Sequence, residues 1–178
     1  MWWQRQTKNW VYATPPVALL LIGLAPFMDA GPSLALFLSL PVYMLHQYEE
    51  HDADRFRAYV NAMVPEGRTG LQHQDVWAIN VILVWFLLLG VFWLAAASAG
   101  WAVLAAYLLL INGIVHILPA VIRRQSNPGV ITAVALFLPL SIWILASHPA
   151  TTAQHVISIA LIIALHVAIV ARALRKQT

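Results

Sequence analysis

His46-Gln47-Tyr48-Glu49-Glu50-His51 closes a run that is otherwise apolar from Ser33 onward. On a helix, the residues three and four positions on share the face of the first. Glu49 and Glu50 therefore flank the stripe that carries His46. Carboxylates and an imidazole at the end of a membrane-length apolar segment are costly to place. Something elsewhere in the chain must offset that cost.

Of the 178 residues, 61% are hydrophobic and 10% are charged, whereas soluble domains carry roughly 25% charged residues. Mean hydropathy is +0.76. Composition thus predicts an integral membrane protein forming one domain over residues 1–178. There is no cysteine, hence no disulfide framework and no thiolate metal site. The net charge of +3 fits a cytoplasmic membrane face. No basic–aromatic interleaving of the kind that stacks bases is present, so a nucleic-acid partner is not expected.

The fold class this predicts is all-α, a polytopic membrane helix bundle of six transmembrane helices plus one interfacial amphipathic helix. The spans are expected at about 10–28, 33–48, 76–99, 101–122, 128–147 and 151–171. Asp29-Ala30-Gly31-Pro32 reads as a tight turn, and Pro41 as a bend in the second span. Between spans two and three, Phe56, Tyr59, Val60, Met63 and Val64 recur at helical spacing, with Arg55, Arg57 and Asn61 between them. That pattern predicts an interfacial helix over about 53–64. Asn127-Pro128-Gly129 reads as the start of span five, with Asn127 as N-cap and Pro128 at the first helical position. Trp2, Trp3, Trp10, Trp77 and Trp101 near span ends read as an aromatic belt.

Six spans place Arg5, Lys8, Arg55, Arg57, Arg68, Arg123, Arg124, Arg172, Arg175 and Lys176 on one side. These are all ten basic residues. The positive-inside bias then predicts cytoplasmic termini. The same map gathers His46, Glu49, Glu50, Asn80, Asn112, His116 and, more weakly, His166 in the cytoplasmic half. His148 and His155 fall at the outer edge. Span two ends with Glu49, Glu50, Asp52 and Asp54, where the helix dipole favours cations. A metal ion, a protonated histidine or an arginine from a neighbouring loop are the candidate compensations.

Each of these residues also has a plainer reading. His46 serves equally as a satisfied core histidine. Asn112 with His116, at i and i+4, serves as an interhelical clamp, and Asn80 reads as helix glue. His51 points away from His46 on an ideal helix and reads as interfacial. The amides that open span five, with Arg123 and Arg124, offer an alternative role as an anion site for a lipid phosphate.

The segment His46-Gln47-Tyr48-Glu49-Glu50 resembles the defining motif of the HXXEE family of small bacterial membrane proteins. Further pieces are similar in the same order: Phe56 to Asn61, Ile79-Asn80-Val81, Asn112 with His116, and Pro128 to Ala133. After the glutamates the chain reads His51-Asp52-Ala53-Asp54, where the resemblance implies an aromatic residue and Pro-Gly-Gly. The resemblance supports the site residues and implies no particular reaction.

Three classes of function remain in view. The first is a membrane-embedded enzyme on a lipophilic substrate, with His46, Glu49 or Glu50, and His116 as metal ligands. Glu49, Glu50, Asn80 and Asn112 are then candidate catalytic residues. Histidine and carboxylate without cysteine suit a divalent metal, Zn, Fe or Mn, and a metal-free variant would use the same groups as acid and base. The second is a proton or cation carrier, against which stands the sparsely polar outer half. The third is a structural membrane protein whose polar residues only fix helix packing. The bilayer is the expected partner, and oligomeric state is open.

Overall fold

The computed structural model describes residues 7–28 and 32–176. The turn expected at Asp29-Ala30-Gly31, the residues Trp2 and Trp3, and Arg5 lie outside that range. Among the described residues the regular elements are all helices, with an isolated antiparallel bridge between Arg68 and Lys176. The helices are α1 (Thr7–Phe27), α2 (Pro32–His51), α3 (Arg55–Asn61), α4 (His73–Ala97), α5 (Ala99–Arg123), α6 (Val130–Ser147) and α7 (Thr152–Ala173). Helices α1, α4, α5, α6 and α7 are long and apolar enough to cross a membrane. In α2 the polar ending after Leu45 dilutes the apolar run.

Local chemistry sets the helix starts. Gln72 and Asp75 form a reciprocal cap at the head of α4, and Thr151 and Gln154 do the same for α7, each pair satisfying amides that open a helix. Helix α2 runs through Pro41. Its terminal carbonyls are met by Arg55, whose guanidinium donates to Glu49 O at 2.9 Å and Asp52 O at 3.0 Å. Between α2 and α3, Ala53 (φ 53°) and Asp54 (φ 62°) are left-handed. They reverse the chain, so α3 begins two residues later than its apolar pattern suggested.

Helix α5 is the central element. Over its most apolar stretch 56% of residues are buried, against 17% in α7. Leu108 and Leu109 of α5 pack with Leu36, Leu88, Phe137 and Ile144 in the main core. The outward faces carry exposed Leu20, Phe86, Trp93, Ile122 and Val167, a surface suited to hydrocarbon rather than water.

One end of the bundle gathers the polar chain. Thr69 N donates to Arg175 O at 2.8 Å and Gly70 N to Ala173 O at 3.0 Å. Arg172 pairs with Asp75 at 3.1 Å. Trp10, expected in a lipid-facing belt, is instead 8% exposed and packs against His51 and Trp85. The belt reading fails there because the start of α1 is tucked beneath the end of α2. Phe56 and Val60 of α3, with Val64 just beyond it, pack over Leu71 and Val76 in the same cluster. Two π-helical turns, Ala78–Val84 in α4 and Ala133–Phe137 in α6, re-aim side chains near this end, as such turns do at functional sites.

A candidate metal centre

His46 and Glu50 lie one turn apart on α2, and His116 comes from α5. His46 Nε2 is 3.6 Å from Glu50 Oε2, and His116 Nε2 is 3.4 Å from Glu50 Oε1. All three residues are buried. Their ligand atoms lie within 4.8 Å of one another. Two ligand atoms held tetrahedrally about 2.1 Å from a zinc-like ion are about 3.4 Å apart, so the spacing fits a shared cation.

The outer nitrogens of both rings are already committed. Ile131 N and Thr132 N donate to the Glu49 carboxylate at 3.1 and 2.7 Å, and the Thr132 hydroxyl makes a short bond to the same carboxylate. An ionised carboxylate only accepts, so the single Thr132 hydroxyl proton goes to Glu49. Its oxygen then accepts from His46 Nδ1–H at 2.8 Å. On α5, Asn127 Nδ2 donates to His116 O at 2.7 Å, which turns Asn127 Oδ1 toward His116 Nδ1 at 3.1 Å. Both imidazoles thereby carry a proton on Nδ1, which leaves Nε2 of each ring as the position turned to the cluster. Buried and without a hydrogen bond, Nε2 of His46, of His116 and of His51 all face Glu50.

The expected site residues thus separate into two groups. His46, Glu50 and His116 come together. Glu49 turns to the opposite side and closes the first turn of α6. The compensation for Glu49 is therefore a helix N-terminus, which was not among the candidates anticipated. The amides once assigned to a lipid phosphate are the ones that Glu49 occupies. Asn80 accepts from Gln47 Nε2 at 3.0 Å and donates to Val76 O. Asn112 donates to Tyr43 OH at 2.7 Å. Both line the cavity described below with their polar partners already in place. His166 bonds Ile162 O and also lines the cavity. At the far end His155 pairs with Tyr107 OH at 2.9 Å.

Two expectations are corrected. His51 is not interfacial: it is 6% exposed, its Nε2 lies 3.0 Å from Glu50 Oε2, and its ring packs between Trp10 and Phe56. Helix α2 ends at this residue, and the left-handed reversal folds the chain back over it. Asn127 is not an N-cap. Helix α6 opens at Val130 after Gly129 (φ 95°), and Asn127 clamps His116 instead.

Sequence reasoning did not assign roles to Thr132, Tyr43, Gln47 or Gly129. Gly129 is where the backbone passes closest to the two rings: an added Cβ would stand 2.8 Å from Cε1 of both His46 and His116.

Beside the cluster lies a cavity of about 390 Å³, a size typical of small-ligand sites. Its walls are mainly apolar and come from α3, α4, α5 and α7. Glu50, His116 and Asn127 face it from one side, and Arg123 lines it toward the end of α5.

Fold and site together define an all-helical, membrane-type bundle with a buried His–Glu–His cluster. The chain belongs to the family described as "Protein of unknown function with HXXEE motif", which matches residues 37–144. The cluster and the residues that orient it lie inside the matched region, and α7 lies outside it. No curated protein and no solved structure matches the chain.

Proposed function

We propose that this chain is a membrane-embedded, metal-dependent enzyme acting on a lipophilic substrate. In this reading His46, Glu50 and His116 hold a divalent cation, Zn, Fe or Mn. One observation carries it: the buried His46 and His116 turn Nε2 atoms that have no hydrogen bond toward one carboxylate, each ring oriented from behind by a separate hydrogen-bonded partner. A merely structural histidine would have both nitrogens satisfied. Three protein ligands with a remaining open position are the pattern of catalytic rather than structural sites. A cation there would polarise a substrate oxygen or lower the pKa of a bound water. Glu50 and His116 border the apolar cavity, so a substrate there would meet the cluster directly.

Glu49 acts by positioning His46 through Thr132. Asn80 and Asn112 act as interhelical clamps, a role favoured by their satisfied partners. The whole chain forms one domain in a bacterial inner membrane with both termini cytoplasmic. Helix α2 is the sixth span: it returns to the end where α1 began, as the contact of His51 with Trp10 indicates. Helix α3 lies at the cytoplasmic interface. The carrier reading has less support, because the far end offers isolated pairs such as Tyr107–His155 rather than a connected polar path.

The test is elemental analysis of protein purified in detergent without chelator and then offered Zn, Fe and Mn in turn. About one metal per chain is expected, with loss in His46→Ala and His116→Ala while helicity is kept. Metal absent under all three conditions, or retained by both variants, overturns the reading. Lipid extracts of cells carrying the wild-type chain or His116→Ala should then differ in one lipid species.

A further inference from the structure

Among the described residues Arg123 is the one lysine or arginine that lines the cavity. Arg55 pairs with Asp52 at 3.4 Å, Arg57 pairs with Asp54, and Arg172 pairs with Asp75 at 3.1 Å. Glu49 is held by the amides of α6, and Glu50 is enclosed by histidines. Among the described residues Arg123 has no acidic partner, yet it lines the cavity. It follows His116 by seven residues on α5, two turns along the same face and about 10 Å along the axis. The cavity thus has two polar stations, the cluster within and a free guanidinium at its mouth. Between and around them the wall is Phe56, Val60, Val115 and Ile169. Val115 is 46% exposed and Val170 56%, so apolar wall residues of α5 and α7 reach the outer face of the bundle beside the cavity.

We propose that the cavity takes a single-chain amphiphile with an anionic head, phosphate or carboxylate in kind. The head docks on Arg123 and the tail lies along the apolar wall, which brings a position on the chain, not the head, onto Glu50 and His116. The guanidinium offers paired donors that match such a head, and entry beside the exposed Val115 and Val170 would admit the tail without passage through water. This deepens the functional reading above by naming the substrate class, but the binding itself does not require the metal.

The probe is dodecyl phosphate, titrated calorimetrically into the full chain in a non-ionic maltoside detergent, with and without chelator. Dodecanol and inorganic phosphate serve as the tail-only and head-only arms. Saturable binding near one per chain is expected for dodecyl phosphate, with both single-feature probes at least about tenfold weaker. Arg123→Gln should weaken dodecyl phosphate by about tenfold or more, leave dodecanol unchanged and keep the wild-type metal content. Val60→Trp, which fills the cavity, should remove dodecanol and dodecyl phosphate together. Equal binding of dodecanol and dodecyl phosphate overturns the proposal, as does Arg123→Gln without effect. Inorganic phosphate binding as tightly as the amphiphile overturns it too. Amphiphile binding by a chain that never takes up metal would sink the metal reading and leave this one standing, and the reverse result would do the opposite.

Discussion

Gly129→Ala should damage the His–Glu–His cluster without touching any of its ligands. The new methyl would stand 2.8 Å from Cε1 of both His46 and His116 and 3.0 Å from His116 Nδ1. Ordinary contact begins near 3.4 Å, so both rings or the backbone must give by about 0.6 Å. Metal–ligand distances tolerate only about 0.2 Å. The position also has φ 95°, which costs an alanine about 1–2 kcal/mol, and overpacking adds about 1–3 kcal/mol. Gly67 isolates the backbone part: its φ is 77°, and nothing lies within 4 Å of an added Cβ. Gly67→Ala should therefore lower the unfolding temperature slightly and leave metal affinity at the wild-type value. Gly129→Ala should lower the unfolding temperature further and weaken metal binding by about 10–100-fold, the usual cost of disturbing ligand orientation. Competitive chelator titration and thermal unfolding of both variants in detergent measure this. If Gly129→Ala matches Gly67→Ala in both assays, the two imidazoles are not held where described and the metal reading loses its geometric basis.

Thr132→Ala removes the acceptor for His46 Nδ1 and a partner of Glu49, and it should cost about 10–100-fold in metal affinity. Thr132→Ser keeps the hydroxyl and should retain affinity in the same titration. Ala53→Gly relieves a left-handed alanine, and with nothing else changed it should raise stability by about 1 kcal/mol; an unfolding temperature at or below wild type would count against the chain reversal before α3. The chain has no cysteine, so single substitutions report sidedness cleanly. Gln125→Cys should react with an impermeant thiol reagent only from the cytoplasmic side and Ala150→Cys only from the opposite side; labelling of both from one side would refute the six-span topology.

Much of this protein is written in local pattern. Runs of apolar residues broken by Gly100 and by the stretch from Arg123 to Pro128 fix where helices can lie, because a backbone in hydrocarbon must satisfy its own hydrogen bonds. His46 and Glu50 share a face at i and i+4 whatever else the chain does. That much needs only helical geometry. Which of Glu49 and Glu50 turns inward is a different matter, since both flank the same stripe. The choice falls to α6, whose first amides take Glu49 and leave Glu50 to the histidines. His51 comes inward because two left-handed residues reverse the chain and Trp10 and Phe56 close over it. Asn127 abandons the cap it resembles because the His116 carbonyl and ring lie within its reach. In each case a contact between segments far apart in sequence outweighs a local preference, and sequence spacing carries no record of which distant groups will meet.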